Sequence, residues 1–577
     1  MVLVSIALLG CGSVDTDDST TEAPVYTTDS SSEESDSTTV VATADETIRT
    51  DETATEELEE EASTEESEPA LCSDGSPLVL ANGELSISGT VTFDRIGVNP
   101  NGIGLDHDNV KISPARQVWV KAIGPCNEVV TSTTTNDEGE YLLTNLPENT
   151  EIKIRVYSLM QKEGTGGWDL RVQDNTNNDA IYVLEGSLVS TGTTDSRRSL
   201  HAASGWNDAV GAYTSTRAAA PFAILDSIYS AMKKVINVDA KATFPRLLIN
   251  WSVNNIAAGN GSEEGLADGQ IITSHYDGDE KLYILGDANS DTDEFDDHIM
   301  IHEWAHYFES TFSRSDSIGG AHTEGDILDI RVAFGEGWGN AFSAIATDNP
   351  IYFDTLGYAQ SQGWSMDIES SRKVEPGWYS EGSIQRIIYD LYDEHDDDGD
   401  QLFLGFEPIY DVLTGPQKTT KAFTSIFTFM TALKEQEPAD RSKIDAILAS
   451  ESIGSIDDIY GNEFYPLYLD LSVGKVSNVC TSTRFGIGNK LDNHRYLRFT
   501  LDDDDQYTIR MVQTNGNRSD PDFMLFKSVP FEPLAISDRS AYQVEESSYA
   551  LSAGEYLLDI TDYNGLSAPC FDVVVDN

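Results

Sequence analysis

Basic residues are scarce in this chain: 36 Lys and Arg stand against 99 Asp and Glu in 577 residues, a formal net charge of -63. A field of that sign repels polyanions, so nucleic acid is not an expected partner and neither is an anionic membrane surface. Cysteine is sparse too, at five, and no two lie at the close spacing of a zinc or redox motif. Beyond the first residues there is no apolar run of the roughly 20 residues needed to span a bilayer. Histidine numbers nine, which makes any His cluster informative. The length is too great for one hydrophobic core, so several domains are expected.

Part of the acid excess is local. Residues 12–70 hold twenty acidic side chains and one basic one, Arg49, among runs of Ser and Thr. Such segments bury too little apolar surface to offset the entropy of ordering, so 11–71 reads as a disordered acidic linker. Ahead of it, residues 2–10 form a short apolar run with small residues leading to Cys11. That pattern resembles a bacterial lipoprotein signal, although it lacks a basic n-region. It implies a signal peptide over 1–10, lipidation at Cys11 and membrane attachment only through that lipid. The expected location is the bacterial cell envelope, as an outer-membrane or cell-surface lipoprotein, or outside the cell after release. For an exported chain the economical use of the other cysteines is two disulfides, Cys72–Cys126 and Cys480–Cys570.

Alternating apolar residues predict strands at 83–93, 116–123, 127–134, 140–144 and 151–158, an all-β sandwich over 72–160. Gly89-Thr90-Val91 and Thr135-Asn136-Asp137-Glu138-Gly139-Glu140-Tyr141, with Leu146-Pro147 after them, resemble the immunoglobulin-type carboxypeptidase regulatory-like modules. The resemblance implies an accessory, structural role. Residues 161–205 read as a connecting region. The pattern then turns helical: 218–235, 298–311, 330 or 334 to 346, 382–392, 421–436 and 440–450, with strands at 247–251 and 281–286. From 477 strands return, at 496–500, 507–513, 523–527, 549–551 and 556–562. The stretch from Asn489 to Tyr563 resembles the bacterial pre-peptidase C-terminal domains, small β-sandwiches found beside secreted peptidases.

The chemistry centres on His302-Glu303-Trp304-Ala305-His306. On a helix the two His lie four apart on one face and can share a zinc ion (Zn2+), with Glu303 beside the bound water as general base. A catalytic zinc needs a third protein ligand and an open position. Glu309 stands where a metzincin needs Gly. Glu336, in Phe334-Gly335-Glu336-Gly337-Trp338-Gly339-Asn340-Ala341-Phe342, is the better candidate, because the glycines permit close helix approach; His322 is a rival. Asn340, one turn beyond Glu336, is placed to orient a ligating His. Together the two motifs resemble the gluzincin peptidases of the thermolysin-like clan, and within it the fungalysins. The resemblance implies His302, His306 and Glu336 as ligands and Glu303 as base, with Asn340 where those families usually carry Asp. They also use a Tyr or His to stabilise the oxyanion; Tyr379 is the first candidate here, with His395 and Tyr410 as alternatives. Tyr283 to Gly286 is a candidate edge strand for pairing with an extended peptide. Asp396, Asp398 and Asp400 have alternate spacing that suits calcium (Ca2+), but the Gly offset is wrong for an EF-hand and a solvated loop is the simpler reading.

The expected fold class is thus multidomain, an α+β zincin catalytic domain over 206–476 flanked by two all-β sandwich domains, 72–160 and 477–577. The expected activity is zinc-dependent endopeptide hydrolysis by a monomer acting on peptide or protein. The competing expectation is a non-catalytic binding lipoprotein whose zinc site is vestigial or structural.

Overall fold

The computed structural model describes residues 83–577 apart from 101–102, 371–374, 395–401, 463–464, 517, 539–542, 564 and 566–567. Strand β1 (Leu85–Arg95) alternates buried and half-buried residues along its length, the period of a sheet with one face on a core. Strands β2 (Val118–Ile123), β3 (Val129–Thr134), β4 (Glu140–Leu146) and β5 (Glu151–Lys162) follow. β4 pairs antiparallel with β1, and β2 lies between β3 and β5 in a second sheet. Ile87, Val91 and Phe93 of the first sheet join Val120, Ile154 and Val156 of the second in one buried cluster.

This β unit does not end at residue 160. β6 (Trp168–Asp174) pairs with β5 and, in parallel, with β7 (Phe244–Trp251). Helix α1 (Ala220–Val238) lies between β6 and β7 in the chain, as a parallel pair requires a crossover connection. β7 is followed by β8 (His275–Tyr276) and β9 (Lys281–Ile284), and ten strands form one sheet with the main path β8-β9-β7-β6-β5-β2-β3. Strand pairing thus runs across the expected boundaries at 160 and 205. The segment expected to be a connection supplies β6 and the short strand Leu200–Ala202, which pairs with β1. β6 buries Trp168, Leu170 and Val172 in alternation with half-buried Asp169 and Arg171, a pattern that its Gly- and Asn-rich flanks obscure. A correction concerns the sheet edge. β9 is flanked on both sides, by β7 and β8, so the edge strand is β8.

Short strands β10 (Gly286–Asp287) and β11 (Asp291–Thr292) lead into helix α2 (Asp297–Phe312). Helix α3 (Ile330–Thr347) is buried along nearly its whole length. It is followed by the hairpin β12 (Ile351–Leu356) and β13 (Gln362–Asp367), which completes a four-stranded sheet in the order β10-β11-β12-β13. Helix α4 (Glu381–Tyr392) packs on α3. A Cβ on Gly337 would lie 2.4 Å from Cβ of Ile384, so only glycine permits that approach. Further helices span Ile426–Gln436 and Arg441–Ser450. Among the described residues no helix is long and apolar enough to cross a membrane.

The C-terminal residues form a five-stranded and a four-stranded sheet around a core of their own that includes Phe499, Ile509, Leu525, Leu558 and Val573. Cys480 and Cys570 are joined as expected, across adjacent antiparallel strands. Cys126 is also disulfide-bonded; Cys72, its expected partner, lies outside the described residues, as do Cys11 and the 11–71 linker. The C-terminal unit docks on the first turn of α3 through strands β14 (Arg495–Leu501) and β15 (Gly554–Asp562). Arg331, 3% exposed, donates to Asp329 at 2.9 Å and to Asp559 of β15 at 2.8 Å. His494 contacts the other oxygen of Asp559 at 2.8 Å, and the Tyr496 hydroxyl donates to Asp329. Burial raises both carboxylates, but Arg331, His494 and the hydrogen bonds the carboxylates accept together outweigh it and hold them below the ordinary Asp range. Their contribution to stability is therefore present above the ordinary Asp pKa and is lost as pH falls through the depressed folded values.

Removing one partner from a buried ion network leaves charge uncompensated, which costs about 3 kcal/mol. Asp559→Ala is accordingly expected to lower the unfolding free energy from urea titration by an amount of that order, and the midpoint with it. A midpoint equal to wild type would show that the two units dock by other means.

Candidate metal centre

His302 and His306 sit one turn apart on α2 and present their Nε2 atoms to each other at 3.1 Å. Glu336 enters from α3, with Oε2 at 3.3 Å from His302 Nε2 and 3.4 Å from His306 Nε2. Donors about 2.0–2.1 Å from a tetrahedral ion lie about 3.3 Å from one another, so this triangle has the edge length of a zinc site. The residues present thus fit a zinc ion. They make a His-Glu-X-X-His cluster with a distal Glu, the ligand set of a zincin-type hydrolytic centre.

The glycines around Glu336 have distinct tasks. A Cβ on Gly339 would lie 2.8 Å from the His302 ring, so this residue makes room for the imidazole. Trp338, between them, donates its Nε1–H to the Ala305 carbonyl at 3.2 Å and ties α3 to α2. Asn340 behaves as its spacing suggests. Its Oδ1 meets His302 Nδ1 at 2.9 Å, while its Nδ2 donates to Gln385 Oε1 at 3.0 Å. Gln385 in turn donates to the Ile368 carbonyl at 3.3 Å. This chain of donors turns the Asn340 oxygen toward His302, places the proton on Nδ1 and leaves Nε2 free to ligate.

Glu303 lines the cleft beside the triangle. Its Oε2 accepts from the backbone N–H of Tyr276, at 2.9 Å, so the edge strand β8 fixes this carboxylate. His322 also reaches the centre, with Nε2 at 3.5 Å from Glu336 Oε2 and 3.3 Å from Glu381 Oε2. Its Nδ1 faces the Gly320 carbonyl at 3.2 Å and must donate there. Burial opposes its charged form, but Glu336 and Glu381 together with the Gly320 carbonyl outweigh it and shift His322 upward. It remains outside the trio whose donor atoms all lie within 4.8 Å of one another.

Burial opposes charge throughout this site; pairing outweighs it at Glu336 and His306, and burial prevails at Glu381. His322, His306 and His302 hold Glu336 well below the ordinary Glu range despite burial. Glu336 in turn offsets burial at His306 and pushes it up to about 9. Glu381 is pushed up to about 7, chiefly by burial.

The expected oxyanion donors fall elsewhere. Tyr379 packs edge-on against Trp378, with its hydroxyl 3.4 Å from the Pro376 carbonyl, and does not line the cleft. Tyr410 donates to Asp239 and packs against Phe308 on the other side of α2. His395 lies outside the described residues, as do Asp396, Asp398 and Asp400. Glu381 and the hairpin β12–β13 were not anticipated. The hairpin walls the cleft, a space of about 700 Å³, with Tyr352 and Trp364, whose rings stack at 5.7 Å. The β-branched and aromatic run Ile351-Tyr352-Phe353, with Thr355 and Leu356 before Gly357, is the available signal for it.

No family model matches the chain, and a search of curated proteins finds no match either. Among solved structures, the pre-peptidase C-terminal domain of collagenase from Bacillus anthracis is 13% identical with a TM-score of 0.16, over 19% of this chain and 93% of that domain. PliG, a periplasmic inhibitor of g-type lysozyme from Aeromonas hydrophila, is 15% identical with a TM-score of 0.13, over 19% of this chain and 96% of the inhibitor. At these TM-scores neither likeness carries an argument about this chain.

Two outcomes follow from the geometry. Gly339→Ala forces the His302 ring aside, and zinc affinity measured by competition with a chromophoric chelator is expected to fall at least about tenfold, the range seen when a ligand's support is lost. Zinc must also displace the proton on His306. Below pH 9 apparent affinity is therefore expected to climb with pH, by about tenfold per unit for a single proton. A pH-independent affinity would contradict that coupling.

Proposed function

We propose that this chain is a zinc-dependent endopeptidase of gluzincin type, nearest to the fungalysin-like peptidases. The observation that carries the reading is the triangle of His302, His306 and Glu336 at zinc-site edge lengths, with Glu303 beside it on an open cleft. A zinc ion held there would supply Lewis acidity and a water of lowered pKa. Glu303, anchored by the Tyr276 amide, takes the proton of the attacking water and returns it to the leaving amine. His322 is the cationic donor in reach of the developing negative charge, a better-placed candidate for that role than Tyr379 or Tyr410.

The competing reading is a structural or vestigial zinc site in a surface-binding protein. It requires a fourth protein ligand to close the coordination, and His322 is the group near enough to serve. The trio without it leaves a position open, which favours the enzyme.

The proposal extends to location. The apolar run before Cys11 supports a lipidated chain on the bacterial cell envelope, with 11–71 as an acidic tether. The disulfides suit such an oxidising compartment.

The test pairs wild type with Glu303→Gln on casein and a peptide library, each with and without a zinc chelator. Chelation is expected to abolish cleavage, and the substitution to lower kcat about a thousandfold while zinc content stays at one per chain. Equal cleavage by both proteins would sink the mechanism.

A further inference from the structure

Beyond the ligand trio, a second group of donor atoms converges in the cleft. Asp291, Asp293 and Asp354 each bring a carboxylate oxygen within 4.8 Å of the others, and all three line the same space as His302 and Glu303. The β11 strand and the turn after it supply the first two, and Asp354 comes from β12, two residues from Tyr352 on the same face. The Ser274 hydroxyl donates to Asp293, and Trp364 Nε1–H donates to Asp354 Oδ2 at 3.1 Å. The other oxygen of Asp354 has no hydrogen-bond partner among the described residues, although the residue is only 7% exposed. Asp296, 1% exposed, lies close to Asp293 and Asp354 and also has one unpartnered oxygen.

Neither Asp293, Asp296 nor Asp354 pairs with a cationic side chain among the described residues. Arg217, the nearby guanidinium, is committed to Glu294, the Thr292 hydroxyl and the Gly286 carbonyl. Grouped and buried carboxylates without a counter-charge are costly. Burial raises Asp354 to about 6, and burial followed by repulsion from Asp291 and Asp354 raises Asp293. An arriving cation would relieve both effects. The wall beside the cluster is the stacked pair Tyr352 and Trp364, and Trp364 is itself bonded to Asp354. Aromatic rings next to carboxylates suit the flat guanidinium and methylene stem of arginine, which can stack and also donate to several oxygens at once.

We infer that Asp291, Asp293 and Asp354 form an anionic subsite of the cleft that takes a basic side chain of a peptide, arginine foremost. The inference rests on the peptidase reading for its substrate class, yet it can be read without turnover. Calorimetry with zinc-loaded Glu303→Gln protein would compare peptides that differ only in arginine against its neutral isostere citrulline. Arginine peptides are expected to bind at least about tenfold more tightly, as for a charged group meeting buried carboxylates. Asp354→Asn is expected to erase that difference.

In the wild type the same peptide pair should give a matching ratio of kcat/KM, and product masses should place every preferred cleavage at one fixed position relative to arginine. Equal binding of arginine and citrulline peptides overturns the subsite, and that comparison needs no Asp variant to fold. A thermal shift with millimolar calcium in wild type but not in Asp354→Asn, joined to loss of the arginine preference, also overturns it, because the cluster would then be a metal site. Arginine-selective binding without cleavage of any peptide leaves the subsite standing and removes the peptidase reading instead.

Discussion

The metal triangle exists only because α2 and α3 come unusually close. A side chain as small as alanine at 339 would meet the His302 ring at 2.8 Å, and one at 337 would meet Ile384 at 2.4 Å. Glu336 stands immediately before this pair of glycines, so its carboxylate can reach both imidazoles from a helix that is itself tightly packed on α4. Trp338 pins the crossing by bonding the Ala305 carbonyl. The price in helix propensity is about 1 kcal/mol per interior glycine, and burial of almost every residue of α3 offsets it.

Around that crossing the rest of the molecule acts as a frame. The ten-stranded sheet carries β8 to the position where its amide holds Glu303, and the same sheet continues into the N-terminal β unit. The C-terminal unit grips the first turn of α3 through Arg331, five residues before Glu336. Both flanking regions therefore bear on the two helices that supply the ligands. Neither is a free module on a linker: buried apolar residues from Leu85 to Leu557 belong to one connected cluster.

How much of this was legible in sequence depended on how local each signal is. The pentad at 302–306 brings two imidazoles and a carboxylate together by helical spacing alone, and Glu336 was marked by glycines and by Asn340 one turn on. The strands from 83 to 158 and the helices around the site followed from period. What stayed hidden is non-local. Glu381 is an ordinary acid in the first turn of a helix, and nothing in its neighbours shows that it faces His322. β8 is two residues long and draws its role from its partner β9. β6 alternates buried Trp168, Leu170 and Val172 with half-buried neighbours, but it is short and set among Gly- and Asn-rich turns, so the segment 161–205 reads as a connection. Asp354 gains its meaning from Asp291 and Asp293, more than sixty residues earlier.

The central claim is that three protein ligands hold one zinc and leave a position open. Zinc K-edge X-ray absorption on the metal-loaded protein addresses it directly. The account predicts two imidazole nitrogens and two oxygens at about 2.0–2.1 Å, one oxygen from Glu336 and one from an exchangeable water. A third imidazole in that shell, with no exchangeable oxygen, would mean that His322 closes the site, and the hydrolytic reading would fall.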